Sequence, residues 1–140
     1  MIGYIDSSVI IANIFSESGA ISKLEAYGAL YSSRLLQTEC LRVLVGKFLN
    51  KKASEEQFAR MKDGVLTALS GIKLLQLDEP TLLLAETPFS VNLATLDSIH
   101  LASALRLKSA LPGEELHFLT HDERLGRAAQ VMGLQVLGIS

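Results

Sequence analysis

The run Thr95-Leu-Asp-Ser-Ile-His-Leu-Ala-Ser-Ala-Leu-Arg-Leu107 decides how the rest of the chain is read. Thr95 suits a helix N-cap, and apolar and small residues follow it at helical spacing. Leu101, Ala102 and Leu105 form an apolar stripe, and Ala102 and Ala104 let the helix approach a sheet closely. Asp97 then falls in the first turn, where free backbone N–H groups and the macrodipole favour negative charge. Alone, such an acid is a helix-end charge worth about 0.5 kcal/mol. Three further acids in comparable places give it a second meaning.

Outward from this helix, strand and helix signals alternate. Upstream, Met1 to Ile5 reads as a strand, ended by Asp6-Ser7-Ser8, and Val9 to Phe15 opens a helix. Ala20 to Tyr27 is predicted as a second helix, stopped by Gly28. Ala29 to Ser33 follows as a strand. Leu35 to Asn50 carries Leu36, Cys40, Val43, Leu44 and Phe48 at helical spacing. Ser54-Glu55-Glu56-Gln57 fits a capping box for a helix bearing Phe58, Met61, Val65 and Leu69, ended by Gly71. These two helices pair as a hairpin through Lys51-Lys52-Ala53, and its stripe is core unless a partner protein covers it. Lys73 to Leu77 reads as a third strand. Asp78-Glu79-Pro80 starts a helix, and Pro88 to Ala94 is a loop. Downstream of the central helix, Leu116 to Leu119 is a strand leading to Thr120-His121-Asp122. A helix from Glu123 to Met132 and a strand from Leu134 to Ile139 complete the chain. The alternation predicts an α/β fold with a mostly parallel sheet.

Composition sets limits. At 140 residues, 49% hydrophobic, the chain is expected to form one domain spanning residues 1–140 with a real core. No apolar run reaches membrane-spanning length, and Asp6 interrupts the N-terminal one, which disfavours a signal peptide. A single cysteine, Cys40, allows no intrachain disulfide and fits a reducing cytoplasm. Net charge is −2, which does not suggest a nonspecific nucleic-acid binder. If cations neutralise four of the 15 acids, however, 13 basic residues face 11 acidic ones, and a phosphate substrate becomes compatible.

The four acids are Asp6, Glu39, Asp97 and Asp122. Asp6 and Asp122 follow apolar strands at the turn into a helix, so in a parallel sheet they share the carboxyl edge, where ligands bind. Asp6 or Ser7 also suits a helix cap. Glu39 borders an apolar helix stripe and wants a cation, which Arg42 one turn later can supply. Four acids near one edge repel unless cations sit between them, and hard oxygen ligands select Mg²⁺ or Mn²⁺ over zinc. No Cys/His cluster and no phosphate-cradling glycine loop competes. Ser8, two residues after Asp6, stands where a haloacid-dehalogenase-like phosphatase needs a second acid. The acid pair and late lysine of a receiver domain are absent too. His100 reads as a packed, hydrogen-bonded histidine, and His121 as pointing away from Thr120 and Asp122. Arg34, Arg42, Arg106, Lys108, Arg124 and Arg127 are candidate phosphate contacts, each more simply a solvated charge.

Four segments together resemble the PIN-domain ribonucleases, and among those the VapC-type toxins of toxin–antitoxin pairs. They are Tyr4-Ile5-Asp6-Ser7-Ser8, Glu39 with Arg42, Leu96-Asp97-Ser98-Ile99-His100-Leu101-Ala102, and Leu119-Thr120-His121-Asp122 with Leu125, Ala128 and Ala129. The resemblance implies a three-layer sandwich with strand order 3-2-1-4-5. It implies that Asp6, Glu39, Asp97 and Asp122 are the catalytic acids and bind Mg²⁺ or Mn²⁺, with Ser8 and Thr120 supporting them. The implied reaction is endonucleolytic RNA cleavage, leaving a 5′-phosphate and a 3′-hydroxyl. The implied partners are RNA, a cognate antitoxin and a second copy of the chain, with no membrane. Glu123 after Asp122 departs from relatives richer in acid at this site, which leaves open one metal or two. The competing reading is an inert PIN-like module that binds RNA or protein without cutting.

Overall fold

The computed structural model describes residues 1–15 and 19–140. β1 (Ile2–Ile5) is buried along its whole length. Its alternation splits the side chains: Ile2 and Tyr4 enter one core and Ile5 the other. Asp6 ends the strand and caps α1 (Ser7–Ile14). Then follow β2 (Ala29–Ser33), the hairpin of α2 (Leu35–Leu49) and α3 (Glu55–Ser70), and β3 (Ile72–Leu75). The Ser54/Gln57 capping box that starts α3 forms as predicted. α4 (Glu79–Ala85), α5 (Thr95–Ala110), β4 (Leu116–Leu119), α6 (Glu123–Val131) and β5 (Gln135–Leu137) complete the order.

The five strands are all parallel, in the order β3-β2-β1-β4-β5. α1, α2 and α3 pack one face through Val9, Ile10, Leu36, Cys40, Leu44, Val65 and Leu69. On the other face, α5 and α6 bring Leu101, Ala102, Ala104, Leu107, Leu125, Ala128 and Ala129 against Tyr4 and Phe118. After β1 the chain builds outward through β2 and β3, then crosses back to β4 and β5. The crossing point lies between β1 and β4, where Ile5 pairs with Leu119. Ligands of open parallel sheets bind at this kind of switch point.

Several expectations need correction. Ala20 to Tyr27 forms no α-helix; it holds only a 3-10 turn over Leu24–Ala26. Distant partners take its polar groups: the Ile21 N–H donates to His121 Nε2, and the Tyr27 hydroxyl bonds His117 Nδ1. Thr95 is not the N-cap of α5. That position is Ala94, whose carbonyl accepts the first helical bond from Ser98 N–H, so Thr95 is already helical. Leu105 is only partly buried. β3 stops at Leu75, whose carbonyl accepts from Arg34 N–H as the chain turns toward the Asp78 cap. β5 is shorter than Leu134 to Ile139 because Gly138, at φ +105°, turns the backbone out of the sheet.

Gly138 also lies under the site. A Cβ there would meet the Thr120 carbonyl oxygen at 2.2 Å, in a backbone region L residues rarely adopt. Gly138→Ala is expected to cost roughly 2 kcal/mol or more, from strain and displacement of Thr120. Urea unfolding measures this; a midpoint equal to wild type would contradict it.

Candidate active site

Asp6 and Asp122 sit at the carboxyl ends of the two neighbouring strands β1 and β4, each capping the helix that follows. Capping and site membership are therefore not alternatives for these residues. Asp6 is buried, with 4% of its surface exposed. One carboxylate oxygen accepts from Ser8 N–H at 3.1 Å and from the Ser8 hydroxyl. The other accepts from the Thr120 hydroxyl at 2.8 Å. That hydroxyl in turn accepts from Asp122 N–H at 3.0 Å, and Ser8 Oγ accepts from His121 N–H at 2.9 Å. Ser8 and Thr120 thus tie the ends of β1 and β4 into one network. Burial pushes the Asp6 carboxyl above its ordinary range, and Glu39 adds to this, while the two hydroxyls and His100 oppose it.

Asp97, in the first turn of α5, is half-buried. Its carboxyl is pushed up to about 6, first by burial, then by the charges of Asp122 and Asp6, with Glu39 adding and His100 opposing. Asp97 therefore feels the charges of the three other acids, each from a separate element, at one sheet edge. Among the described residues, no three carboxylate, imidazole or thiol groups close into a ready-made ion cage.

Glu39, in the second turn of α2, takes His100 and not Arg42: His100 Nε2 lies 2.5 Å from its Oε1. His100 is buried and its Nδ1 meets the Tyr4 hydroxyl at 2.8 Å. It is the packed, hydrogen-bonded histidine expected, but neither partner was legible. They lie 61 and 96 residues away, and the only local signal is that His100 falls one turn after Asp97. Next to Glu39, the Cys40 thiol is fully buried and pushed up to about 12, by burial and then by the charges of Glu39 and Asp6.

The candidate phosphate contacts separate by their partners. Arg106 is committed to Asp78 at 2.6 Å and Thr81 at 2.8 Å. Lys108 donates to the Gly133 carbonyl, and Arg127 pairs with Glu123. Arg34, Arg42 and Arg124 are exposed. His121 turns away as expected, its Nδ1 bonding the Gly138 carbonyl.

Comparison with known proteins gives the family. The PIN-domain family model matches residues 3–131. The chain is 36% identical over 141 residues to Ribonuclease VapC46 of Mycobacterium tuberculosis (strain ATCC 25618 / H37Rv), covering 98% of this chain and 97% of that one. It is 40% identical over 65 residues to Ribonuclease VapC47 of Mycobacterium tuberculosis (strain CDC 1551 / Oshkosh), covering 46% and 45%. A toxin-antitoxin complex from Klebsiella pneumoniae superposes with a TM-score of 0.58 over 99% of this chain and 95% of that one. At 17% identity that likeness speaks for the fold alone. With the family pattern running from β1 into α6 and a relative matching over nearly its whole length, the chain belongs to the PIN-domain family, in its VapC-type branch.

Proposed function

We propose that this protein is a divalent-metal-dependent endoribonuclease, the toxin of a toxin–antitoxin pair. The observation that carries the reading is the gathering of four acids at the β1/β4 switch point, where Asp6 and Asp122 end neighbouring strands and Asp97, raised first by burial, also feels the charges of Asp122, Asp6 and Glu39. Hydroxyls and amides surround the buried Asp6 carboxylate, and no Lys or Arg pairs with it among the described residues. An all-oxygen, multiply charged donor set suits Mg²⁺ or Mn²⁺. Mg²⁺ needs no closed protein cage, because it keeps waters and takes substrate phosphate oxygens.

Asp6, Glu39, Asp97 and Asp122 would hold the metal. When bound, it supplies activation of water and charge neutralisation at the scissile phosphate. The chain's own part is orientation. Ser8 and Thr120 hold both Asp6 oxygens in place, and His100 holds one oxygen of Glu39. Arg42, exposed one turn beyond Glu39, is our candidate for phosphate contact. We assign antitoxin or self-association to the α2–α3 hairpin, where Leu49 is 69% exposed and Leu66 40%. Among the described residues, no helix is long and apolar enough to cross a membrane. The single buried cysteine suits a cytoplasmic site of action.

The test is cleavage of end-labelled RNA, with single-stranded DNA of the same sequence as control. Cutting of RNA with Mg²⁺ or Mn²⁺, stopped by EDTA, is the expected result. Full cleavage in EDTA would overturn the metal reading. Mn²⁺ binding with no cleavage of any RNA would favour an inert binding module.

A further inference from the structure

The mechanism above uses His100 only as a neighbour of Glu39, yet its surroundings are more specific than packing requires. Its ring is 1% exposed and bridges two side chains from two other elements, β1 and α2. A carboxylate only accepts, so Nε2 must carry the hydrogen toward Glu39. In the neutral ring this leaves the Nδ1 lone pair for the Tyr4 hydroxyl to donate into, which fixes the tautomer. Tyr4 is itself fully buried between two rings. Its ring stacks on Phe118 at 5.4 Å and meets His100 edge-on at 5.9 Å. The buried hydroxyls of Ser32 and Ser103, which have no hydrogen-bond partner among the described residues, lie beside the Tyr4 hydroxyl. The chain of donors therefore starts in the core and ends on Glu39, whose side chain is 15% exposed. Only Oε1 is occupied among the described residues, so Oε2 is available.

We propose that Tyr4 and His100 form a buried brace that holds Glu39 in the pose in which it binds the cation, making His100 a positioning residue of the site. The proposal rests on the reading of Glu39 as a metal-holding acid. An unbraced glutamate on a helix surface samples several rotamers, and ordering it on binding would weaken affinity. Partners that orient a ligating side chain are worth about 10- to 100-fold in metal affinity. The brace acts only through Glu39, so its effect must vanish once Glu39 no longer ligates.

Mn²⁺ affinity, by titration calorimetry, tests this on wild type, Glu39→Gln, His100→Ala, Tyr4→Phe and the double variant Glu39→Gln/His100→Ala. His100→Ala is expected to weaken binding about tenfold or more. Tyr4→Phe, which keeps the ring and its stacking, should weaken it by a smaller factor in the same direction. The double variant should bind no more weakly than Glu39→Gln alone, a coupling that general loosening of the core does not produce. Melting in EDTA identifies any variant that fails to fold, and Tyr4→Phe then carries the test. If wild type binds no Mn²⁺, the metal reading fails and takes the brace with it. If Glu39→Gln loses affinity while His100→Ala and Tyr4→Phe match wild type, the brace alone is overturned. Losses from Glu39→Gln and His100→Ala that multiply overturn it as well.

Discussion

Asp6→Asn is expected to reduce RNA cleavage by roughly a thousandfold or more, the scale of losing a principal electrostatic group in a desolvated site. Asp6 keeps its carboxylate at 4% exposure, against a burial cost that pushes its pKa upward. Such a charge persists only where something compensates it, and the proposed cation would supply the compensation that Ser8 and Thr120 leave incomplete. The amide is nearly isosteric and can still accept from Ser8, so the α1 cap survives. Losing a buried charge also removes its desolvation cost. Melting in EDTA should therefore stay within a few degrees of wild type or rise. Cleavage within tenfold of wild type, measured on the same RNA with Mn²⁺, would remove Asp6 from the site.

Asp97→Asn is expected to stabilise the metal-free protein at neutral pH and to blunt its response to metal. The Asp97 carboxyl titrates at about 6 in the fold against an ordinary 3.8. A group with a raised folded pKa binds more protons folded than unfolded, so stability falls as pH climbs from about 4 to about 6 and stays lower above. A rise from 3.8 to about 6 corresponds to about 3 kcal/mol. Because Asp97 is half exposed, solvent screening reduces this to about 1–2 kcal/mol. The asparagine variant escapes the penalty and should show a flatter profile over that range. Cation and proton compete for the same oxygens, so Mn²⁺ should bind more tightly as pH rises through about 6. Wild type should gain about 2.7 kcal/mol at a hundredfold excess over Kd. Thermal melts of both proteins from pH 4 to 8, in EDTA and then Mn²⁺, check each part. If wild type gains nothing from Mn²⁺ and Asp97→Asn melts lower in EDTA, the acids do not share a cation.

What could be read in advance followed from local rules. Strand-turn-helix grammar placed Asp6 and Asp122, because a strand end and a helix cap are each written in a few neighbouring residues. Helical spacing placed Asp97 and Glu39 at the borders of apolar faces. The same local logic failed for Ala20 to Tyr27. That segment has helix-forming residues, but its polar groups are satisfied by His121 and His117, about 100 and 90 residues on. It failed again for Glu39, where one-turn spacing suggested Arg42 and the fold delivered His100 from another helix. Strand order is also nonlocal: alternation predicts parallel strands, and the order came only with the family resemblance.

Cys40 has a use of a different kind. Its thiol is fully buried and held to about 12, so in the folded protein it is almost never the thiolate that reacts with alkylating reagents. Modification must wait until α2 lifts off the sheet. The rate of labelling at this one native position therefore counts openings of the core, a clock that runs without any engineered probe. A cysteine introduced on the surface would label at once, and the two signals would separate by speed alone.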